Sequence, residues 1–515
     1  MFAVAARWRA WGGLPWRLAP ALCALAAPAA AAYAPAAVPA GVAVASGTDA
    51  GQVRSDGGTA VQVWVTNARR TKLLARQPDT AFLPQPLLSA TLSVDAQRRY
   101  QEMVGFGAAM TDASAWLIHS RMSEAQRTVL MQELFGPAPG IGLGFMRLTI
   151  GASDFSQSHY SLDEAPGGAP DPDLQYFSIA RYRPDLLPLL RQAQSINPHL
   201  RIMASPWSAP AWMKTSGSLI GGTLRPQDYD VFARYLWRYV DAMGAEGVPL
   251  YAVTVQNEPH FEPENYPGMR LDMPARVRLV GGFLGPLFRQ KGVATRILAW
   301  DHNWDEPEEP LGELASPLSS PFLAGTAWHC YKGSVTVQRI VQEVHPERDT
   351  FLTECSGGLW VPLWRDALPW LAGSVLIGGT RGGARGVLLW NLALDPEHGP
   401  HTGGCTDCTG VVTVDPASGA VTRNLEYYVL AHASRFVRAG ARRIESTTDV
   451  GELASVAFRN EDDGSIVLIV LNAGRDARRF SVGDAGANFA YELEESSLAT
   501  FTWQPAALVQ PSPAR

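Results

Sequence analysis

Between about residues 101 and 392 the chain alternates short apolar runs with longer segments of helical spacing. Eight of these runs read as strands: MVGFG (103–107), FMRLTIG (145–151), RIMASPW (201–207), YAVTVQNE (251–258), RILAWDHN (296–303), GTAWHCY (325–331), TFLTEC (350–355) and GVLLWNL (386–392). Between them lie helix candidates. In DYDVFARYLWRYVDAMGAEG (228–247) the residues Phe232, Leu236, Tyr239 and Val240 share one face, and PARVRLVGGFLGPLF (274–288) is another. Eight strand-then-helix units predict an α/β fold, a (β/α)8 TIM barrel over residues 98–438, because that fold grows by loop insertion without losing its repeat.

The pattern changes on both flanks. After a last helix near 425–438, the segments LASVAFRN, SIVLIVLN, RRFSVG and NFAYELEE alternate at period two, with EDDG (461–464) as a hairpin turn. They predict an antiparallel β-sandwich over 439–507, completed by N-terminal strands within 61–97, chiefly VQVWVTNA (61–68) and LLSATLSV (87–94). Residues 33–60, rich in Ala, Pro, Gly and Ser without an apolar period, read as a flexible leader.

Residues 1–32 stand apart, since Arg7, Arg9 and Arg17 precede the acid-free run LAPALCALAAPAAAA, which ends in Ala30, Ala31 and Ala32. This is the pattern of a secretory signal peptide, and the run is too short and alanine-rich for a stable membrane span. Its removal would take the formal net charge from -6 to -9. A mildly acidic exported chain is a poor match to nucleic acid. At 515 residues and 46% hydrophobic, the chain is large enough for a sizeable core and two domains.

Barrel chemistry sits at the carboxyl ends of the strands, and two of the eight end in glutamate. On strand four, alternation places Ala252, Thr254, Gln256 and Glu258 on one face, so Glu258 points into the barrel mouth before Pro259 ends the pairing. On strand seven the same argument puts Leu352 and Glu354 inward and Phe351 and Thr353 outward. Glu262 and Glu264 fall beyond the strand, in a loop around Pro263. Two inward carboxylates are what glycoside hydrolysis needs, one as proton donor and one as nucleophile, with neither metal nor cofactor. The bland alternative is an ion pair that holds strands together. Trp207, Trp390, Trp328 and Tyr331 at strand ends could stack on sugar rings, and Asp112, Asn257, His329 and Asn391 could bond hydroxyls.

Six motifs, GFGAAMTDA (105–113), ASPWSAPAWMKT (204–215), VTVQNEP (253–259), WHCY (328–331), LTEC (352–355) and WNLALDPEHGP (390–400), resemble the family 30 glycoside hydrolases, in particular the glucosylceramidase type. The resemblance implies a (β/α)8 barrel joined to a β-sandwich and hydrolysis of β-glycosides with retention. It makes Glu258 the acid/base and Glu354 the nucleophile, with Asp112, Trp207, Asn257, Tyr331 and Trp390 as the sugar-binding set. Arg147 matches a family arginine that would keep Glu354 ionised, and Glu354 as an anion would raise the pKa of Glu258. The implied substrate is a β-glucoside such as glucosylceramide. Two departures point elsewhere: Cys330 replaces an aromatic residue between His329 and Tyr331, and GGCTDCTGVVTV (403–414) has no counterpart in the lysosomal members. Some relatives cleave β-1,6-glucan, and a non-catalytic carbohydrate-binding protein is the third possibility. The two retained glutamates argue against that third reading. One inconsistency concerns Asn257, which strict alternation turns outward while the resemblance needs it at the sugar; a twist or bulge is expected there.

The remaining cysteines allow several readings. Cys330 and Cys355 end neighbouring strands and could touch or stay as thiols. Cys405 and Cys408 could form a local disulfide, remain free, or bind zinc with His398 and His401. The acidic run DEPEEP (305–310) reads as a solvated loop.

Overall fold

The computed structural model describes residues 58–447, 450–484 and 486–505. The expected signal peptide and nearly all of the expected leader lie outside them.

Eight parallel strands close a barrel in chain order: Gly105–Ala109, Phe145–Ile150, Arg201–Pro206, Ala252–Thr254, Arg296–Asn303, Leu323–His329, Asp349–Glu354 and Ala384–Leu389. Closure is made by the eighth strand on the first, with Gly386 opposite Gly105. The barrel axis is filled at its lower end by Val104, Phe145, Met203, Ala252, Leu298, Ala327, Phe351 and Leu388, with Phe145 and Phe351 in ring contact at 5.6 Å. An apolar plug of this kind makes the barrel a packed core and leaves only its upper end for chemistry. Outward residues such as Val253, Ile202 and Leu352 join the larger core under the helices. Of these helices, Tyr229–Ala245 buries Phe232, Leu236, Tyr239 and Val240, the stripe its spacing predicts.

Strand seven corrects the alternation argument. Phe351 lies in the axial plug and Leu352 packs under the helices, the reverse of the expected faces. Trp328 likewise packs under the helices and not at the mouth. Strand four ends at Thr254, well before Glu258, so its last residues are placed by irregular backbone.

The second body is a nine-stranded sheet that draws Ala60–Asn67, Ala75–Ala81 and Thr91–Glu102 from before the barrel and six strands from Arg442 to Trp503 after it. Strand Ala75–Ala81 carries no period-two signal in its sequence ARQPDTA and is recruited by pairing to its neighbour. The pairing is antiparallel except where Thr91–Glu102 runs parallel to Arg478–Asp484. Val63, Val65, Leu92, Ile444, Leu468, Phe480, Phe489 and Phe501 fill the space between its faces. The buried helix Leu425–Ser434 joins the two bodies, and His432 lies 2.8 Å from Thr500 Oγ1 and 2.9 Å from Thr66 Oγ1.

Candidate active site

The site is built on one buried cation. Arg147, in the middle of strand two, points along the axis above the plug and is fully buried. Its guanidinium donates to Glu354 Oε2, to Asn257 Oδ1 at 2.7 Å and to Asp301 Oδ2 at 2.9 Å. A planar fork of donors is suited to holding three acceptors at fixed angles. One face of the guanidinium lies 4.9 Å from the ring of Trp207, which stacks on Trp390 at 5.0 Å.

Asp301 is the second hub and has no precedent among the residues singled out from sequence. Trp300 and Asp301 both have left-handed backbone, with φ of 71° and 76°, and the pairing with strand six slips there. The slip brings Asp301 inward, where its carboxylate meets Arg147, Ser205 at 2.7 Å, Thr254 at 2.7 Å, Thr353 at 2.7 Å and His329 Nε2 at 3.1 Å. Burial alone would raise its pKa, but Arg147 and His329 hold it well below the usual carboxylate range.

His329 uses both ring nitrogens. Nε2 faces Asp301, and Nδ1 lies 3.2 Å from Glu258 Oε1 and 3.9 Å from Glu354 Oε1. Against the opposing effect of burial, Glu354, Asp301 and Glu258 push its pKa up to about 9. It is therefore an imidazolium near neutral pH.

Glu258 reaches this point from backbone with φ of 45°, its N–H donating to the Asp301 carbonyl at 3.0 Å. The expected irregularity at Asn257 is thus real: strand geometry has lapsed, and both side chains turn to the centre. Glu354 accepts from Arg147 on one oxygen and from the Tyr331 hydroxyl at 2.9 Å on the other. A register shift between Leu352 and Glu354 carries it inward although Thr353 also faces in. Oxygens of Glu258 and Glu354 lie within 4.8 Å of each other, with His329 beside both.

The pKa pattern reverses the expected one. Burial pushes Glu258 up, but the hydrogen bond to His329 and the field of His302 bring it below the ordinary glutamate value. Burial leaves Glu354 above that value, because His329 and Arg147 offset only part of it and Glu258 adds repulsion. His329 acts on both carboxyls by its charge, but its Nδ1 is within hydrogen-bond distance of Glu258 alone.

Trp207 and Trp390 form an aromatic floor with Phe155 and Leu394, their faces turned largely to each other and to Arg147. Asn391, also with left-handed backbone, accepts from Thr111 at 2.9 Å and leaves its buried Nδ2 without a protein partner. Tyr331 is 41% exposed at the rim. Asp112 is not brought to the glutamates: as the first residue of helix Asp112–Ser120 it turns to the Tyr160 hydroxyl at 2.7 Å, in a separate cleft with Arg181 and Asp185.

A different aspartate, Asp154, lies in the field of both glutamates. It lies four residues past strand two, is buried, and its carboxyl is pushed up to about 8 by burial and then by Glu354 and Glu258. Its carbonyl accepts from Thr402 N–H at 2.7 Å, which brings the 403–408 loop against it. Gly404 approaches so closely that a Cβ there would come within 2.7 Å of Asp154 Cβ. A polar residue just past a barrel strand was the available signal, in the stretch GASDF (151–155).

The cysteines pair as Cys330–Cys355 and Cys405–Cys408. The sulfurs of the second pair are bonded to each other and not offered to a metal. DEPEEP is no solvated loop either: its end starts helix Glu308–Ala315, Glu306 lies 2.6 Å from His260, and Glu309 lies 2.6 Å from buried Arg276. Glu258, His329 and Glu354 are compact enough for a cation. However, Arg147 already neutralises Glu354 and His329 is engaged on both nitrogens, so the donors suit a hydrolytic carboxylate pair better.

Comparison with known proteins agrees with this chemistry. Residues 103–362 match the glycosyl hydrolase family 30 TIM-barrel domain and residues 440–501 its beta sandwich domain. An endo-1,6-beta-D-glucanase of Neurospora crassa is 35% identical over 73% of this chain and 79% of its own length. The lysosomal acid glucosylceramidase of Mus musculus is 28% identical over 80% of this chain and 83% of its own. The solved structure of an endo-beta1,6-glucanase superposes with a TM-score of 0.79 at 30% identity, covering 87% of this chain and all of that one. Among the described residues no helix is long and apolar enough to cross a membrane. With both domains matched in order and the barrel closed around a paired-carboxylate centre, the chain belongs to glycosyl hydrolase family 30.

Proposed function

We propose that this protein is an exported endo-1,6-β-glucanase that cleaves by double displacement, with Glu354 as nucleophile and Glu258 as acid/base. The observation that carries the mechanism is the separation of the two carboxylates, with oxygens within 4.8 Å. Retaining enzymes hold their carboxyl groups about 5–5.5 Å apart, whereas inverting ones need about 6.5–9.5 Å for a water between them. Arg147 and Tyr331 fix the two oxygens of Glu354 for attack on the anomeric carbon. The proton for the leaving oxygen is held by the His329–Glu258 pair. Its transfer from Nδ1 to Oε1 leaves a neutral imidazole and a carboxylic acid, which protonates the departing sugar. Glu258 then takes a proton from the water that releases the glycosyl-enzyme. Asp154, in the field of both glutamates, is the candidate to bond sugar hydroxyls.

The glucan reading rests on relatives: the glucanases are the more similar sequences, at 35% against 28% for the glucosylceramidase. One observation favours glucosylceramide instead, the exposed apolar run Leu359, Trp360, Val361 and Leu363 just beyond Glu354. Incubating purified protein with linear β-1,6-glucan and with glucosylceramide decides between them. Release of gluco-oligosaccharides from the glucan, with the β-anomer appearing first by NMR, supports the proposal. Ceramide release alone refutes the glucan assignment, and an α-anomer first refutes retention.

A further inference from the structure

The disulfide Cys330–Cys355 sits at an unusual address. Cys330 lies between His329, which touches Glu258 and Asp301, and Tyr331, which donates to Glu354. Cys355 directly follows Glu354, and its carbonyl accepts from Trp390 N–H at 2.7 Å. The paired ladder between strands six and seven ends at Glu354 opposite His329, after the register has already slipped once. Beyond that pair the disulfide is the next cross-strand link, with its Cα atoms 5.4 Å apart. Tyr331 itself is 41% exposed, with its N–H given to Asn303 Oδ1 at 3.0 Å, and Lys332, Gly333 and Ser334 after it are exposed. Its ring meets that of His329 edge-on at 6.0 Å, and the Lys332 carbonyl accepts from Trp304 N–H at 3.1 Å; neither contact ties it to strand seven.

We propose that the Cys330–Cys355 disulfide is a positioning element for the reaction, clamping strands six and seven so that the Tyr331 hydroxyl stays on Glu354 after the β-ladder has ended. It acts through Tyr331 and touches no substrate. A clamp is useful here because a misplacement of about 1 Å costs on the order of a hundredfold in rate, and a bulged strand end does not by itself set position that finely.

The groups facing Glu354 are Arg147 from strand two, Glu258 from the loop after strand four, and His329 and Tyr331 from strand six and its loop; Asp154 and Tyr266 lie in its field. Of these, Tyr331 lowers the pKa of Glu354 through its hydrogen bond. Losing that bond raises the pKa further and moves the acid limb of kcat/KM to higher pH.

The test is a double-mutant cycle on β-1,6-glucan with Tyr331→Phe and the pair Cys330→Ala/Cys355→Ala. Tyr331→Phe alone should lower kcat about tenfold or more, the size of a hydrogen bond to a charged group. The cysteine pair should lower kcat by about tenfold with KM little changed and shift the acid limb upward. In the clampless background Tyr331→Phe should add less than about twofold. If Tyr331→Phe costs the same factor in both backgrounds, or the clampless protein keeps the wild-type kcat and pH profile, the proposal is overturned. Should the cysteine variant not fold, the folded Cys405→Ala/Cys408→Ala protein can be treated with a dithiol. The reagent closes to its cyclic disulfide and delivers two electrons and two protons, leaving two thiols at Cys330 and Cys355, and the same cycle is run on that species. The inference rests on the hydrolase reading above, but the failures differ: no turnover by the intact protein sinks that reading, whereas normal turnover with independent Tyr331 and disulfide effects sinks only the clamp.

Discussion

The two glutamates reach the same point by opposite means. Glu354 ends a full strand and is gripped on both oxygens, by Arg147 below and Tyr331 above, with a disulfide at the next residue. Glu258 ends no strand; left-handed backbone aims it, and two histidines, His329 at 3.2 Å and His302 at 3.7 Å, approach its Oε1. The difference suits the two tasks. A nucleophile must be held in one place through the cycle, whereas an acid/base must exchange a proton and needs a partner that also titrates.

The largest effect that tests this contrast comes from the carboxylates themselves. Glu354→Gln should lower kcat by about 10⁴-fold or more, because it removes the carboxylate that Arg147 and Tyr331 hold for attack on carbon. Glu258→Gln should cost about 10²–10⁴-fold on glucan, and far less on an aryl β-glucoside whose leaving group needs no proton. Equal losses on both substrates would show that Glu258 is not the proton donor.

The histidine side of the contrast is sharpened by pH. The pKa of His329, pushed up to about 9, lies above its ordinary 6.5, so the stability its contacts contribute is complete below 6.5 and is lost as pH rises through about 9. The thermal midpoint of the wild type should therefore fall between about pH 7 and pH 10 more steeply than that of His329→Gln. In the same variant the basic limb of kcat/KM should move down from near 9 towards the carboxyl's own range. An unmoved limb would mean that the pair does not share its proton.

The smallest expected effects separate two aspartates. Asp154→Ala should reduce kcat/KM on glucan by about 10–100-fold, the loss of one or two hydrogen bonds to a substrate in a buried site. Asp112→Ala, in its own cleft with Tyr160, should change it by less than about threefold. The reverse order would restore the motif-based assignment.

These residues show how far the chain could be read directly. All eight barrel strands, the helix Tyr229–Ala245 and the late run of sandwich strands were legible, because each carries its own apolar period. The strand Ala75–Ala81 was not, since pairing alone makes it a strand. At the site Glu354 was legible as a glutamate that ends a strand, and Glu258 as one that closes an apolar run, although the strand itself stops at Thr254. Asp301 was hidden inside RILAWDHN, where alternation gives no hint of two consecutive left-handed residues. Asp112, marked by its motif, turns to Tyr160, and the direction of a side chain at a helix start is not written in the motif.

By itself the sequence determined the repeat, the closed barrel it implies, and the two carboxylates that suit a glycosidase, since all three follow from local periodicity and residue chemistry. Tertiary structure alone decided the rest: that Arg147, Asp301 and His329 form one connected network, that the network lowers Glu258 and leaves Glu354 raised, and that Cys330 bonds Cys355. The physical reason is range. Hydrophobic period acts between neighbours along the chain, whereas charge, hydrogen bonding and cross-links act between residues that only barrel closure brings within a few ångströms.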